Sequence, residues 1–329
     1  MTKPKTILSG IQPSGQLHIG NYFGAMRQHI DMQDSGDAFY FIANYHSLTS
    51  VRDADVLRQN TLDVVLDYLA LGLDPETCTL YLQSDLPQTT ELAWILGTVT
   101  PVSSMEKGVS YKDKIANGLS PNIGLFTYPI LQAADILIVH ADTVPVGEDQ
   151  KQNIEIARDL AQRLNHYYGD GLLRLPEESI LKSVAVVPGT DGRKMSKSYD
   201  NTIPIFARGK DLKKRIMSIE TDSTALESPK DPESCNVFAL IRLFASEEQR
   251  QEIAARYREG GYGYGHAKKE LLSMMQAYFE EATERREQLA KDLNYVQDIL
   301  REGAKKANER AESVMEPVRA ATGLIRTRG

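Results

Sequence analysis

Thr6-Ile7-Leu8-Ser9-Gly10-Ile11-Gln12-Pro13-Ser14-Gly15-Gln16-Leu17-His18-Ile19-Gly20-Asn21 decides how the chain is read. Its opening, Thr6-Ile7-Leu8, is short and apolar and reads as a strand. The following Tyr22-Phe23-Gly24-Ala25-Met26-Arg27-Gln28 reads as the start of a helix. Strand, glycine-rich turn and helix together present backbone N–H groups to an anion. A plain dinucleotide loop carries only glycines at such a turn. This one adds Gln12, Ser14, His18 and Asn21, which can touch a nucleotide directly, while Gly10, Gly15 and Gly20 let it come close.

Outward from this turn, β-rich runs alternate with amphipathic helical stretches. Residues 38–43 read as a second strand ending in the polar cluster Asn44-Tyr45-His46-Ser47. Residues 53–71 read as a helix, with Val56, Leu57, Val64, Val65, Leu69 and Leu71 available for one face. Residues 79–82 read as a third strand. Such alternation predicts a parallel sheet with helices on its faces and ligands at the carboxyl ends of the strands. Residues 89–143 interrupt the alternation as a mostly helical insertion; Val144-Pro145-Val146 resumes it. Residues 150–167 read as an amphipathic helix with Ile154, Ala157, Ala161 and Leu164 on one stripe, preceded by Glu148 and Asp149, and residues 183–187 as a last strand. Beyond about residue 205 only helical runs remain, at 211–219, 236–244, 247–259, 266–293 and 296–321. In the long run Leu271, Met275, Tyr278 and Ala282 hold a core-facing spacing. The expected fold is α/β: a Rossmann-type parallel sheet domain over 1–205 with a helical insertion, then an all-α domain over 206–329.

Composition is that of a soluble chain able to bury a core, with 41% hydrophobic and 25% charged residues in 329. Cys78 and Cys235 stand too far apart for a disulfide framework or zinc cluster and suit a reducing cytoplasm. The N-terminus runs into the first strand without a signal-peptide pattern, and no apolar run is long enough for a membrane span. A cytoplasmic protein without a membrane partner is expected. The formal net charge of −7 means that any nucleic-acid surface must be a local patch.

Lys194-Met195-Ser196-Lys197-Ser198 follows Gly189 and Gly192 at the end of the α/β part. Two lysines three apart, with small hydroxyl residues, can wrap a polyphosphate in a loop that moves as a leaving group forms. Alone, such a run is usually a solvated basic loop. His18-Ile19-Gly20-Asn21 alone reads as an N-cap by Asn21 with an incidental histidine. Together, in this order, the two resemble the paired signatures of class I aminoacyl-tRNA synthetases. The likeness extends over the whole chain. Ser9-Gly10-Ile11-Gln12-Pro13-Ser14-Gly15, Thr127-Tyr128-Pro129 with Ala133-Ala134-Asp135-Ile136-Leu137, residues 144–152 and the run Gly260-Gly261-Tyr262-Gly263-Tyr264-Gly265 look like the bacterial tryptophanyl branch of that family.

The resemblance implies activation of L-tryptophan by ATP, with Mg²⁺, and transfer to tRNA(Trp) by a homodimer paired through 89–143, the helical domain reaching the anticodon. It implies that His18, Lys194 and Lys197 are catalytic. It places ATP against Gln12, Pro13, Ser14, Gly20, Asn21, Gly147, Glu148, Asp149 and Val186, and against the lysine loop with Met195, Ser196 and Ser198. It places tryptophan against Asp135, Tyr128, Gln132, His46, Gln150, Val144, Val146 and Leu8, and it implies no dedicated metal ligands.

Residue chemistry bears on part of this. Tyr128, Gln132 and Asp135 fall at i, i+4 and i+7 on one helical face. Asp135, among Ala133, Ala134, Ile136, Leu137 and Ile138, is costly without a partner. It reads as a structural salt bridge or cap, or as the acceptor for an indole N–H. A tyrosine hydroxyl could use the same acceptor, so a tyrosyl-tRNA synthetase stays open on chemistry alone. His46 reads either as a packing histidine or as a neighbour of the amino acid. Gln132 stands where relatives often carry methionine, and Asn21 where the wider class has a second histidine. A small-molecule nucleotidyltransferase is opposed by the helical last third, and a non-catalytic RNA-binding relative by intact His18, Lys194 and Lys197. Trp94 and Met274-Met275 read as core. Arg285, Arg286, Lys305, Lys306 and Arg310 read mostly as solvated helix faces, some available to tRNA phosphates.

Overall fold

The computed structural model describes residues 4–106, 122–147, 151–180 and 186–325. Five parallel strands, β1 (Thr6–Ile11), β2 (Asp37–Ile42), β3 (Thr79–Leu82), β4 (Thr143–Val146) and β5 (Glu177–Ile180), lie in the order β3-β2-β1-β4-β5. The chain winds one way from β1 through β2 to β3, then crosses back to place β4 on the other side of β1. The carboxyl ends of β1 and β4 therefore flank a topological switch point, the crevice where an open parallel sheet takes its ligands.

The last strand differs from the expectation of 183–187. Strand β5 is formed by Glu177-Glu178-Ser179-Ile180, in register with β4 through Val144 and Glu178. An edge strand tolerates such polar residues. Residues 181–185 lie outside the described residues, while Val186 and Val187 are in no strand.

The opening turn leads into a composite helix: α1 (Ile19–Asn21), a wide π turn over Tyr22–Met26, then α2 (Arg27–Met32). The N-cap is His18, not Asn21. Asn21 sits at the third helical position and its Oδ1 accepts from the His18 backbone N–H at 3.1 Å. The polar cluster after β2 is a short helix, α3 (Asn44–Ser47). Helix α4 (Ala54–Ala70) is capped by Asp53, whose carboxylate accepts from the backbone N–H groups of Asp55 and Val56. Val64, Val65 and Leu69 face the core, whereas Val56 is 47% exposed.

The insertion supplies α5 (Pro87–Thr98), α6 (Val102–Glu106) and α7 (Ile123–Ile138). Trp94 does not enter the core: it is 77% exposed on α5. Helix α8 (Lys151–Tyr168) buries Ile154, Ala157, Ala161 and Leu164 as its stripe requires.

The remaining helices are α9 (Gly209–Met217), α10 (Asn236–Phe244), α11 (Glu247–Glu259), α12 (Tyr264–Lys291) and α13 (Leu293–Thr322). On α12 Leu271 and Met275 are buried, and Phe279, rather than Tyr278, continues the stripe. Helix α13 returns to the sheet. Ala307, Ala311, Val314, Met315 and Val318 join Leu8, Phe41 and Leu137 in one core cluster. Gly303 permits that approach, since a Cβ there would overlap the Leu80 carbonyl oxygen. The other face of the sheet, with Ile7, Tyr40 and Val65, shares a core with Phe238, Tyr257 and Phe279 of the helices.

Two arginines expected on solvated faces are instead ties between the parts. Arg286 bonds Asp63 at 2.7 Å and Asp67 at 2.5 Å on α4. Arg310 donates to the Thr6 hydroxyl at 3.1 Å and the Val139 carbonyl at 3.2 Å, and pairs with Asp37. Burial of titratable groups sets the acid behaviour of the fold. Burial holds His29 and His140 neutral, with pKa values of about 4. In the unfolded chain a histidine takes up its proton near pH ~6.5, so folding stability falls as pH drops from about 6.5 to about 4. Asp67 opposes this: burial, only partly offset by Arg286, raises its pKa to about 6, so its contribution is lost as pH rises from ~4 towards that value. With His18, whose pKa burial and then Lys197 likewise lower to about 4, the histidines outweigh it, and a net loss of about 2–4 kcal/mol is expected between pH 7 and pH 5. Urea midpoints at the two pH values read this directly; equal midpoints would contradict it.

Candidate active site

At the switch point lies a cavity of about 390 Å³. Of the residues expected at the amino acid, Leu8, His46, Tyr128, Gln132, Asp135 and Val144 line it, and Gln12 and Gly147 line it from the expected nucleotide side. They come from the strands and the helices beside them: Leu8 from β1, His46 from α3 after β2, Val144 from β4, and Tyr128, Gln132 and Asp135 from one face of α7. Glu148, Asp149, Gln150 and the Val146 side chain lie outside the described residues.

Asp135 is 3% exposed. Its carboxylate accepts from His46 Nε2 at 3.0 Å and from Gln83 Nε2 at 2.9 Å to each oxygen. Burial raises its pKa, and the bonds from His46 and Gln83 pull it back down. A carboxylate offers about four acceptor positions. Three are taken, so one stays available to a donor in the cavity.

Gln83 was not among the expected site residues. It is 1% exposed, directly after β3, and it bridges two elements. Its Oε1 accepts from the Tyr45 backbone N–H at 2.9 Å while its amide nitrogen serves Asp135. A polar residue at the carboxyl end of an apolar strand was the available signal. Replacement by leucine strands the Tyr45 N–H and removes the amide donor that both oxygens of a buried carboxylate share. The Gln83→Leu variant is expected to unfold about 2–4 kcal/mol more easily in urea; a loss below ~1 kcal/mol would show that the bridge carries little.

The lysine loop meets the opening turn beside this cavity. The Ile19 N–H donates to the Ile203 carbonyl at 3.0 Å and the Ile205 N–H to the Leu17 carbonyl at 3.2 Å, so the stretch after the loop pairs with the His18 segment. Lys197 donates to the Gly15 carbonyl at 2.9 Å and reaches Ser14 Oγ at 3.5 Å. The residue is exposed, yet its ammonium rests against this turn, and the partial desolvation lowers its pKa. Gly15 adopts φ +114°, a backbone conformation that disfavours any side chain, and so can turn its carbonyl to the lysine.

His18 is 6% exposed, and its Nδ1 finds no hydrogen-bond partner among the described residues. Burial first, then the Lys197 charge, lowers its pKa to about 4. A neutral imidazole with an unpartnered buried nitrogen beside an ammonium marks His18 as a candidate ligand-binding group. Among the described residues nothing engages the Lys194 ammonium, which is exposed; Met195 is buried and anchors the loop. Ser196 caps a single 3₁₀ turn, accepting from the Ser198 N–H at 3.3 Å. Pro13 is buried under the turn, Ser14 is exposed, Gly20 and Asn21 are half-buried in α1, and Val186 is 66% exposed.

The loop's organiser is Asn201, which the sequence did not single out. Its Nδ2 donates to Asp191 at 2.7 Å and to the Lys194 carbonyl at 3.2 Å, and its Oδ1 accepts from the Ser196 N–H at 2.8 Å. Among the described residues no group of three His, Cys, Asp or Glu side chains is placed to hold a metal ion, and no helix is long and apolar enough to cross a membrane.

Comparison with known proteins gives the same direction. The chain is 54% identical to a tryptophan–tRNA ligase of Fusobacterium nucleatum over 98% of each chain. It is 50% identical to a protein of the same name from Campylobacter jejuni, over 97% of this chain and 99% of that one. A crystal structure of the Campylobacter jejuni tryptophanyl-tRNA synthetase complexed with ADP and tryptophan superposes with a TM-score of 0.93 at 50% identity, covering 97% of this chain and 100% of that one. A tyrosyl-tRNA synthetase from Archaeoglobus fulgidus, at 18% identity and a TM-score of 0.63, shares the fold. The family model for class I tRNA synthetases (W and Y) matches residues 1–280, and the chain belongs to that family.

Proposed function

We propose that the protein is a tryptophan–tRNA ligase, which activates L-tryptophan with ATP and transfers it to the 3′ end of tRNA(Trp). Near-complete coverage at 50–54% identity by proteins of that name supports the reading. The observation that carries the chemistry is one cavity with a buried acceptor, Asp135, on its wall and a lysine loop beside it. Tryptophan's indole N–H can only donate, and Asp135 has one acceptor position left.

In the first step the tryptophan carboxylate attacks the α-phosphate of ATP in line and pyrophosphate leaves. This needs positioning and charge stabilisation more than a covalent nucleophile. Gln12, Ser14, Gly20 and Asn21 hold ATP over the turn, with Pro13 shaping it. His18 donates to the phosphates from its orphaned side, and Lys194 and Lys197 follow the pyrophosphate as it departs. Gly147, Glu148 and Asp149 approach the ribose, and Val186 the adenine. Mg²⁺ entering with ATP would share the charge on its phosphates, and no side chain of this chain is assigned to hold it. In the second step the terminal ribose hydroxyl of the tRNA attacks the adenylate carbonyl and AMP leaves. Tryptophan is the largest standard amino acid, so smaller competitors cannot fill its pocket and an editing domain is unnecessary.

The helical part after residue 205 reaches the anticodon in this reading. Trp94, Val102 and Ile123, exposed at 77%, 64% and 76% on the insertion, suit a homodimer interface, and the reducing cytoplasm suits the two free cysteines. ATP–pyrophosphate exchange measured with each amino acid in turn tests the assignment. Exchange driven by tryptophan is expected; exchange driven by tyrosine alone would replace it with the tyrosyl reading.

A further inference from the structure

The cavity holds a polar group on β1 that the chemistry above does not use. Ser9, on β1, is 8% exposed and lines the cavity together with His29. Ser9 Oγ lies 2.7 Å from His29 Nε2, and His29 Nδ1 lies 2.8 Å from the Tyr68 hydroxyl. The imidazole is clamped: Tyr40 donates to the His29 carbonyl at 2.6 Å, and the ring packs against both Tyr40 and Tyr68, with centroids 5.6 and 6.2 Å away. Tyr68 is fully buried on α4.

Burial keeps His29 neutral, so the ring carries one N–H and two directions are conceivable for the chain of bonds. If Nδ1 carried the hydrogen, the Tyr68 hydroxyl would be a buried donor with no acceptor among the described residues. Buried donors are not left so. Tyr68 therefore donates to Nδ1, Nε2–H donates to Ser9 Oγ, and the Ser9 hydroxyl hydrogen must go elsewhere. Among the described residues no acceptor takes it.

Resting on the tryptophan reading, we infer that Ser9 donates a hydrogen bond to the carboxylate of bound tryptophan, and that His29 and Tyr68 are positioning residues that fix the direction of that bond. Tryptophan's indole N–H and ammonium are donors only; its carboxylate is the one group on it that accepts. A hydroxyl donor on one carboxylate oxygen leaves the other free to approach the α-phosphate. Nothing in the opening turn signals this, because the partners come from β1, α2 and α4.

Equilibrium dialysis with labelled tryptophan and with tryptamine, which lacks the carboxylate, tests the assignment. The Ser9→Ala variant is expected to bind tryptophan about 5–10-fold more weakly and tryptamine within about twofold of the unaltered protein. Tyr68→Phe keeps the ring and is expected to weaken tryptophan about 2–4-fold, with no further loss when added to Ser9→Ala. Equal weakening of both ligands, or unchanged tryptophan affinity in Ser9→Ala, would overturn it. Absence of tryptophan-driven exchange in the unaltered protein would instead sink the functional reading itself, so the two failures are separable.

Discussion

Replacing Lys197 by alanine is expected to slow tryptophan-dependent ATP–pyrophosphate exchange about 100–1,000-fold while leaving tryptophan affinity within about threefold. The ammonium is parked 2.9 Å from the Gly15 carbonyl, on the turn proposed to cradle the phosphates. A carbonyl dipole is a weak partner for a full charge. When pyrophosphate forms, the same ammonium exchanges it for an anion, and the gain is larger in the transition state than in the ground state. Such an interaction lowers kcat rather than raising KM for tryptophan when lost. Lys194, with no partner among the described residues, is expected to behave alike and about as severely. Arginine at 197 is not an expected rescue: its planar fork cannot occupy the point held by a compact ammonium. Single-turnover formation of the adenylate, set beside tryptophan binding at equilibrium, separates the two quantities. Rates within threefold of the unaltered protein would remove Lys197 from the mechanism.

The second large effect concerns Asp135. In Asp135→Asn, kcat/KM for tryptophan is expected to fall about 100–1,000-fold, chiefly through KM, the equivalent of about 3–4 kcal/mol. An asparagine oxygen has two acceptor positions where the carboxylate has about four. His46 and Gln83 already claim three, and the substrate's N–H the last. The new amide N–H₂ also faces donors. Stability is expected to behave differently. Removing a charge that is 3% exposed relieves its desolvation, which offsets the bond given up, so the unfolding free energy from urea titration should change by less than about 1 kcal/mol. A buried carboxylate kept at the expense of stability is what a binding group looks like, whereas a structural ion pair would show the reverse pattern. Activity retained with stability lost would assign Asp135 to structure.

Much of the candidate site is legible in the sequence. The turn at residues 9–21, the lysine loop and the face of α7 that carries Tyr128, Gln132 and Asp135 are local patterns, and each is written in consecutive residues or in helical spacing. Strands β1 to β4 and nearly all helices follow the same rule, since period and turn chemistry act over a few residues. The departures have a common character. Strand β5 is an edge strand whose polar sequence gives no period-two signal. Trp94 looks like core by type, yet its helix turns it outward. Arg286 and Arg310 look solvated by composition, yet they reach acids more than two hundred residues away in sequence.

By itself, then, the sequence determined the class of fold, the order of its elements, the two signatures and the residues facing one side of α7, because these depend on interactions between near neighbours along the chain. Only the tertiary structure decided that Gln83 and His46 brace Asp135, that Asn201 shapes the lysine loop, that Lys197 rests on Gly15, and that Ser9 is wired through His29 to Tyr68. These are pairings between side chains brought together by the sheet's crossover. Hydrogen bonds reach only about 3 Å, so which donor meets which acceptor is settled by packing and not by spacing along the chain.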